Sequence, residues 1–131
     1  ISLDCGYPAS SLKERIYAFP PNDGSAGRYG ILIYTASTGA QGTLGGLVAN
    51  APRIAGIIDA ALERISLCSN DPVCADHDPS NKAGELSLLG AACHGCLLIA
   101  ETSCERRNQF LDRSLLVTTL AENGAGLFSP E

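Results

Sequence analysis

Methionine, long apolar runs and an excess of basic residues are all missing from this 131-residue chain. Because the chain begins at Ile1 and has no methionine, we expect it to be cut from a longer protein. Glycine, proline or charge interrupts every apolar stretch before the ~20 residues of a membrane-spanning helix, so no membrane partner is expected. The net charge of −5 disfavours a free-standing nucleic-acid binder, which needs clustered lysine and arginine. Any DNA contact is therefore expected to come through a partner.

Nucleotide-binding motifs are missing as well. The chain has no GxxxxGK[ST] loop, so ATP hydrolysis is expected to reside in other segments or subunits. The Gly45-Gly46 pair lacks that spacing and the lysine, and we interpret it as a place where backbone packs closely. An apolar content of 45% with 18% charged residues indicates a folded chain rather than a disordered acidic segment. We predict a single domain over residues 1–131, with a tail at 118–131.

The apolar pattern predicts an α+β fold, in which amphipathic helices pack a small β-sheet. Residues 31–35 form a β-branched and aromatic run that predicts a strand. Residues 37–43 and 69–84 are rich in turn formers and predict loops. Asn50 and Pro52 are typical of a helix start, and the helix is predicted to end near residue 67. Its predicted buried stripe comprises Ile54, Ile57, Ile58, Ala61, Leu62 and Ile65.

Two capping-box matches predict further helical segments. Ser11 and Glu14 have the capping-box spacing and predict a short helix or turn before an extended segment. Thr102 and Glu105 have the same spacing and predict a helix with one buried and one solvated side. The predicted buried residues are Phe110, Leu111, Leu115 and Leu116, and the predicted outward residues are Arg106, Arg107 and Arg113.

Six cysteines are the unusual feature of the composition. Five of them fall in one stretch, which favours a metal site over a secreted disulfide scaffold with spread cysteines. Cys93 and Cys96 have the CxxC spacing that supplies two zinc ligands from one turn, and Gly95 gives that turn backbone freedom. Cys68 and Cys74 can be folded together by the loop between them to supply a second pair. We therefore predict a structural Zn²⁺ site of four thiolates at the helix ends.

The remaining cysteines and the two histidines are assigned outside this site. Cys5 is interpreted as a small buried apolar residue. Cys104 is the main rival ligand, since a predicted helix start favours a thiolate there, and its other interpretation is a buried residue. His77 and His94 lie near ligand candidates in the sequence, and surface or supporting roles are favoured over zinc ligation.

Three other functions stay open. A thiol–disulfide redox domain would use Cys93 and Cys96, although that motif normally opens a helix directly after a strand. A cysteine hydrolase would need a histidine beside a reactive thiol, and the sequence supplies no geometry for such a pair. Direct DNA binding would use exposed arginines, for which the candidates are Arg53, Arg64, Arg106, Arg107 and Arg113.

Several motifs in this chain form a combination more specific than any single CxxC. They are GILIYTAS at 30–37, GTLGGL at 42–47, AACHGCL at 91–97, ETSCE at 101–105 and Leu111-Asp112-Arg113. The combination resembles the C-terminal zinc-binding domain of DrmB proteins from the DISARM anti-phage system, which is similar to that of MrfA-type repair helicases. The resemblance implies a non-catalytic, cytoplasmic module that supports assembly with a DrmA-like helicase subunit and reaches DNA through that complex. It also implies zinc ligation by Cys68, Cys74, Cys93 and Cys96.

Overall fold

The structure is a computed structural model that describes residues 1–36, 46–76, 90–120 and 126–128. The chain divides into two compact units, residues 1–51 with 100–107 and residues 52–99 with 108–131. The α+β class predicted from the sequence is confirmed, because the described residues contain a two-stranded antiparallel sheet and a helix of 12 residues.

A β-hairpin dominates the first unit. Strand β1 (Leu12–Phe19) pairs antiparallel with β2 (Arg28–Thr35), so that Leu12 lies opposite Thr35 and Phe19 lies opposite Arg28. The strand predicted at residues 31–35 is confirmed, and it begins three residues earlier than expected. Leu12 is buried, whereas side chains toward the tip of the hairpin are exposed to solvent.

Of the short helix or turn predicted from Ser11 and Glu14 before an extended segment, the structure shows a turn followed by a strand, so only the helix alternative is wrong. A 3-10 turn, Ala9–Ser11, leads directly into β1, and Glu14 lies inside the strand. Pairing with β2 satisfies the backbone groups of this segment, which removes the need for the local hydrogen bonds of a helix. The capping-box spacing therefore matched by chance.

Two short helices of the first unit contact each other closely. They are α1 (Ser2–Cys5) and α2 (Gly46–Ala49). A Cβ atom at Gly46 would lie 2.9 Å from the carbonyl oxygen of Cys5, so only glycine fits without a shift. This confirms the close backbone approach predicted there. Gly45 and the loop predicted at residues 37–43 lie outside the described residues.

Ser103 ties the 100–107 segment to the hairpin. Its hydroxyl donates to the carbonyl of Ala9 at 2.7 Å, and its carbonyl accepts from the N–H of Glu14 at 3.2 Å. The backbone N–H of Glu105 also donates to the Glu14 carboxylate at 2.7 Å. These bonds bring a segment distant in sequence into the first unit.

Helix α3 (Ile54–Ile65) belongs to the second unit and follows a 3-10 turn, Ala51–Arg53. The predicted helix is thus confirmed, but the predicted burial of its apolar stripe is wrong. Ile54 and Ile58 are 42% and 47% exposed, and the more protected stripe residues are only half-buried. Helical periodicity identifies the face of a helix that another element can cover. It does not show whether such an element is present.

The helix predicted after Thr102 is also wrong. The backbone forms successive turns, in which Arg107, Asn108 and Phe110 have positive φ values of 52°, 60° and 64°. This left-handed conformation interrupts the hydrogen bonding of an α-helix. The Asn108 side chain accepts from the N–H of Ile99 at 3.2 Å and donates to its carbonyl at 2.6 Å. Of the predicted buried residues, Phe110 and Leu115 are exposed.

The described part of the C-terminal region contains a 3-10 turn, Arg113–Leu115. The N–H groups of Leu127 and Phe128 donate to the carbonyls of Leu115 and Leu116 at 3.1 and 3.0 Å. Part of the predicted tail at 118–131 lies outside the described residues. No helix in the described ranges has the length and hydropathy needed to cross a bilayer.

Candidate metal centre

Four cysteine side chains of the second unit meet at one point. The sulfur atoms of Cys68, Cys74, Cys93 and Cys96 all lie within 4.8 Å of one another. The Sγ–Sγ distance is 3.3 Å between Cys68 and Cys93, and 3.7 Å between Cys74 and Cys96. The two members of the CxxC turn are 3.8 Å apart at their sulfur atoms. The fold therefore brings the two pairs predicted from the sequence together.

The spacing of these sulfur atoms fits one tetrahedral zinc ion. Four sulfurs that each lie ~2.3 Å from a central zinc are ~3.8 Å from one another. The distances of 3.7 and 3.8 Å match this value, and the 3.3 Å distance between Cys68 and Cys93 has to open by ~0.5 Å. A set of four thiols is also the donor chemistry of structural zinc sites. Geometry and donor type are both compatible with zinc.

A tight turn presents Cys93 and Cys96 on the same side. The N–H groups of Cys96, Leu97 and Leu98 all lie 3.1 Å from the carbonyl of Cys93, which they share as acceptor. A Cβ atom at Gly95 would lie 2.9 Å from the Ser69 hydroxyl and 3.1 Å from the Cys68 sulfur. Glycine leaves room at this position for the Ser69 and Cys68 side chains, which a larger residue would displace.

The loop from Cys68 to Cys74 is held by its own turns. The N–H of Asp71 donates to the carbonyl of Cys68, and the N–H of Cys74 donates to the carbonyl of Asn70, each at 3.0 Å. The Asp71 carboxylate also accepts from the N–H of Cys68 at 2.8 Å. Cys68 lies three residues beyond the end of α3, close to the position that the sequence predicted. Five intervening residues thus form a compact ligand loop.

N–H groups donate to the sulfur atoms of Cys68, Cys93 and Cys96 and stabilise negative charge on them. Backbone N–H groups of Asn70 and Gly95 lie 3.4 and 3.3 Å from the sulfurs of Cys68 and Cys93. The Asn70 side-chain amide donates to the Cys93 sulfur at 3.2 Å, and the N–H of Cys93 donates to the Cys96 sulfur at 3.3 Å. Four thiolates around Zn²⁺ carry a net charge of −2, so such donors favour the loaded state.

The contacts around each thiol lower the pKa of Cys93 and raise the pKa of Cys74. The Asn70 amide lowers the pKa of Cys93 to about 6, aided by the Cys68 thiol and the N–H of Gly95. Burial raises the pKa of Cys74 well above its usual range, and the neighbouring thiols of Cys96 and Cys93 raise it further. Cys93 is therefore a thiolate at neutral pH in the metal-free chain, whereas Cys74 keeps its proton.

An ion pair joins Asp71 of the Cys68–Cys74 loop to the buried Arg113 side chain. The Arg113 side chain is 1% exposed and donates to the Asp71 carboxylate at 2.6 Å. It also contacts the carbonyl of Ile65 at 3.4 Å. The sequence predicted an outward Arg113, and this prediction is wrong because the guanidinium is the partner of Asp71. The only sequence signal for this role was the Leu111-Asp112-Arg113 motif, which carried no assignment of function.

Backbone pairing fixes the segment that delivers Cys93. The N–H of Gly90 donates to the carbonyl of Leu111 at 2.8 Å, and the N–H of Arg113 donates to the carbonyl of Ala91 at 3.1 Å. The Asp112 carboxylate accepts from the N–H of Ala91 at 3.2 Å. Residues 90–91 and 111–113 thus form a short bridge, which sequence patterns did not reveal.

The other candidate residues are not members of the cluster of thiols found in the described residues. Cys5 is buried, as predicted, and lies in α1. Cys104 is half-buried in a turn of the first unit, so the predicted helix start that would favour its thiolate is not formed. His94 is exposed between two of the cluster cysteines, and His77 lies outside the described residues.

A closed set of four thiols on a small α+β scaffold defines this chain as a zinc-binding domain. Comparison with known proteins identifies the particular family. The chain belongs to the MrfA Zn-binding domain family, whose match covers residues 1–97 and includes all four cysteines. It is 44% identical over 122 residues to the DISARM protein DrmB of Bacillus paralicheniformis. That match covers 92% of this chain and 20% of the relative, so the chain spans a fifth of the relative's length.

Proposed function

We propose that this chain is a non-catalytic structural zinc module of a DrmB-like DISARM defence protein. Cys68, Cys74, Cys93 and Cys96 are its zinc ligands. The module stabilises the C-terminal part of a larger cytoplasmic protein, supports its assembly with a DrmA-like helicase subunit, and contributes to DNA engagement by that complex. The similarity to a DISARM DrmB protein and the family match support this proposal.

The observation that carries the proposal is the convergence of four thiols at one point. When all four tetrahedral positions are occupied by thiolates, none is left for water or substrate. A catalytic zinc site normally keeps such a position open. The cluster also joins two segments far apart in sequence, which is where an ion stabilises a fold most directly. Zinc therefore acts here as a structural crosslink.

The metal content of the purified chain tests the proposal. Protein purified without added metal should contain about one zinc ion per chain by atomic absorption. Cys96→Ser should lower that content and the melting temperature, whereas Cys104→Ser should change neither, because Cys104 lies outside the cluster. A wild-type chain that is folded and free of metal would contradict the proposal.

Assembly is tested in the parent protein. Co-purification with the helicase-like subunit should be retained by the Cys104→Ser variant and reduced by Cys96→Ser. DNA retention by the complex should follow the same order. If the zinc-deficient variant assembles and retains DNA as well as wild type, the supporting role of the module is refuted while its metal site stands.

A thiol–disulfide redox domain is the second candidate, because the lowered pKa of Cys93 produces a nucleophilic thiolate. The structure places Cys93 and Cys96 in an isolated turn rather than at the start of a helix. An insulin-reduction assay separates the two functions. A redox domain should be active, lose activity in Cys96→Ser and keep its fold, whereas a zinc module should be inactive and lose stability in that variant.

A further inference from the structure

The two faces of the β1–β2 hairpin differ in chemistry. Side chains alternate between faces along each strand, and the antiparallel register decides which residues of β1 and β2 share a face. One face is apolar apart from one carboxylate and consists of Leu12, Glu14, Ile16, Ala18, Tyr29, Ile31, Ile33 and Thr35. The other, which we name the cationic face, consists of Lys13, Arg15, Tyr17, Phe19, Arg28, Gly30, Leu32 and Tyr34.

The cationic face carries three positive charges, and neither strand contributes a carboxylate to it. The excess of acidic over basic residues in this chain is not found in the unit that contains the hairpin. The first unit contains five basic and five acidic residues, whereas the second contains four basic and nine acidic residues. The whole net charge of −5 therefore lies in the second unit. The acidic net charge of the chain therefore does not disfavour nucleic-acid contact at this face.

Aromatic rings lie beside these cations on the same face. Tyr17 and Phe19 stack with ring centroids 6.5 Å apart and an interplanar angle of 21°. The Arg15 guanidinium lies 5.8 Å from the centre of the Tyr17 ring, and that of Arg28 lies 5.5 Å from the centre of the Phe19 ring. Gly30 lies opposite Tyr17, and a Cβ atom there would meet open space. The Tyr17 and Phe19 side chains are both exposed to solvent.

The only carboxylate that the described ion pairs bring to this face is that of Glu105. Its oxygen lies 3.5 Å from the Arg15 guanidinium, and both side chains are exposed. An exposed pair of this kind contributes little to stability, so a phosphate group can replace the carboxylate. Arg15 is therefore available to an anionic ligand, for which the Glu105 carboxylate would be a competitor.

We propose that the cationic face binds a single-stranded polynucleotide, whose phosphates pair with Lys13, Arg15 and Arg28 and whose bases stack on Tyr17 and Phe19. Stacking needs base faces that a duplex conceals, whereas cations alone would bind either form. From Lys13 to Phe19 the strand extends ~20 Å, the length of about six phosphates in a stacked strand. This inference rests on the proposed DNA engagement of the complex and assigns that engagement to one surface.

Fluorescence anisotropy with the zinc-loaded, full 131-residue chain tests the inference. The probes are labelled oligothymidylate, oligouridylate and a DNA duplex, each titrated at low salt and then at increasing salt. Both single strands should bind more tightly than the duplex, and the preferred sugar identifies whether the ligand is DNA or RNA. Zinc content and circular dichroism are measured on the same samples, so a loss of the zinc-supported fold is seen separately.

Paired variants separate the two faces of the hairpin. Tyr17→Ala removes a ring from the cationic face and should weaken binding about fivefold or more. Tyr29→Ala removes a ring from the opposite face of the same hairpin and should leave the affinity unchanged. Equal losses in these two variants would overturn the proposal.

Charge variants test the phosphate contacts. Arg28→Glu and Arg64→Glu change the net charge equally, but Arg64 lies on α3. Only Arg28→Glu should weaken binding, and it should reduce the salt slope by about 0.7. Glu105→Gln should tighten binding, because it removes the competing carboxylate. Equal effects of the two arginine variants, or no binding by the folded, zinc-loaded chain, would refute the inference. Binding of an apolar peptide alone would assign the hairpin to a protein partner instead.

Discussion

Replacing Asp71 with asparagine tests whether the Asp71–Arg113 ion pair supports the cysteine cluster. Asparagine keeps an oxygen that accepts from the N–H of Cys68, so the substitution removes mainly the negative charge. The Arg113 guanidinium is then buried without a counter-charge. Breaking a buried pair from one side costs about 3–5 kcal/mol. Because the Asp71 side chain is 25% exposed, we expect a smaller loss in the free energy of unfolding, about 2–3 kcal/mol.

Urea unfolding of the zinc-loaded chain at pH 7 measures this cost. A loss of about 2–3 kcal/mol should lower the urea midpoint by about 1–2 M. Arg113→Met should cost less, about 1 kcal/mol, because it removes the buried charge and leaves the carboxylate partly solvated. Asp59→Asn, a neutralisation on the exposed side of α3, is the matched control and should change stability by less than about 0.5 kcal/mol.

Acid dependence provides a second measurement of the same pair. The guanidinium of Arg113 holds the pKa of Asp71 below its ordinary value of 3.8, and the N–H of Cys68 lowers it further. A carboxylate with a depressed pKa in the folded state contributes its full stability above the unfolded value and loses it as pH falls through the folded value. The difference between wild type and Asp71→Asn should therefore shrink below about pH 4. If Asp71→Asn is as stable as the Asp59 control, or less damaging than Arg113→Met, our account of the pair is refuted.

Three further predictions concern the metal centre itself. Cys74→Ser should release zinc to a chromogenic chelator faster than wild type, while Cys104→Ser should match wild type; equal release by both variants would exclude Cys74 as a ligand. Gly95→Ala should weaken zinc binding, because the added methyl group would lie 3.1 Å from the Cys68 sulfur, and unchanged affinity would show that the turn can move aside. Zinc binding at pH 7 should release fewer than four protons, because Cys93 is already a thiolate in the metal-free chain. Calorimetry in buffers of different ionisation enthalpy counts the released protons. A release of four would contradict the lowered pKa of Cys93.

The candidate metal centre was the part most accessible to sequence reasoning. CxxC spacing restricts Cys93 and Cys96 to one turn, and few structures other than a metal site explain further thiols nearby. The long helix was equally predictable, because apolar residues recur at helical spacing through α3. Each of these two predictions depended on a short-range sequence pattern that is typical of a single kind of structure.

The errors arose where distant residues decide the local structure. Glu14 lies in a strand because β2 pairs with it, and no property of its immediate neighbours reveals that partner. Asn108 interrupts the predicted helix by bonding to Ile99, and Arg113 turns inward because Asp71 is there. Each of these outcomes is a tertiary contact that overrides a local preference of modest energy.

The separation between the two cysteine pairs predicts where this chain can accept insertions. Eighteen residues lie between Cys74 and Cys93, and an ion bound by both pairs closes that stretch into a ring. Each doubling of such a ring costs only ~0.6 kcal/mol in closure entropy, which is small beside the free energy of zinc binding. Insertions between these cysteines should therefore be tolerated during evolution, whereas lengthening the two-residue spacer of the CxxC turn should not.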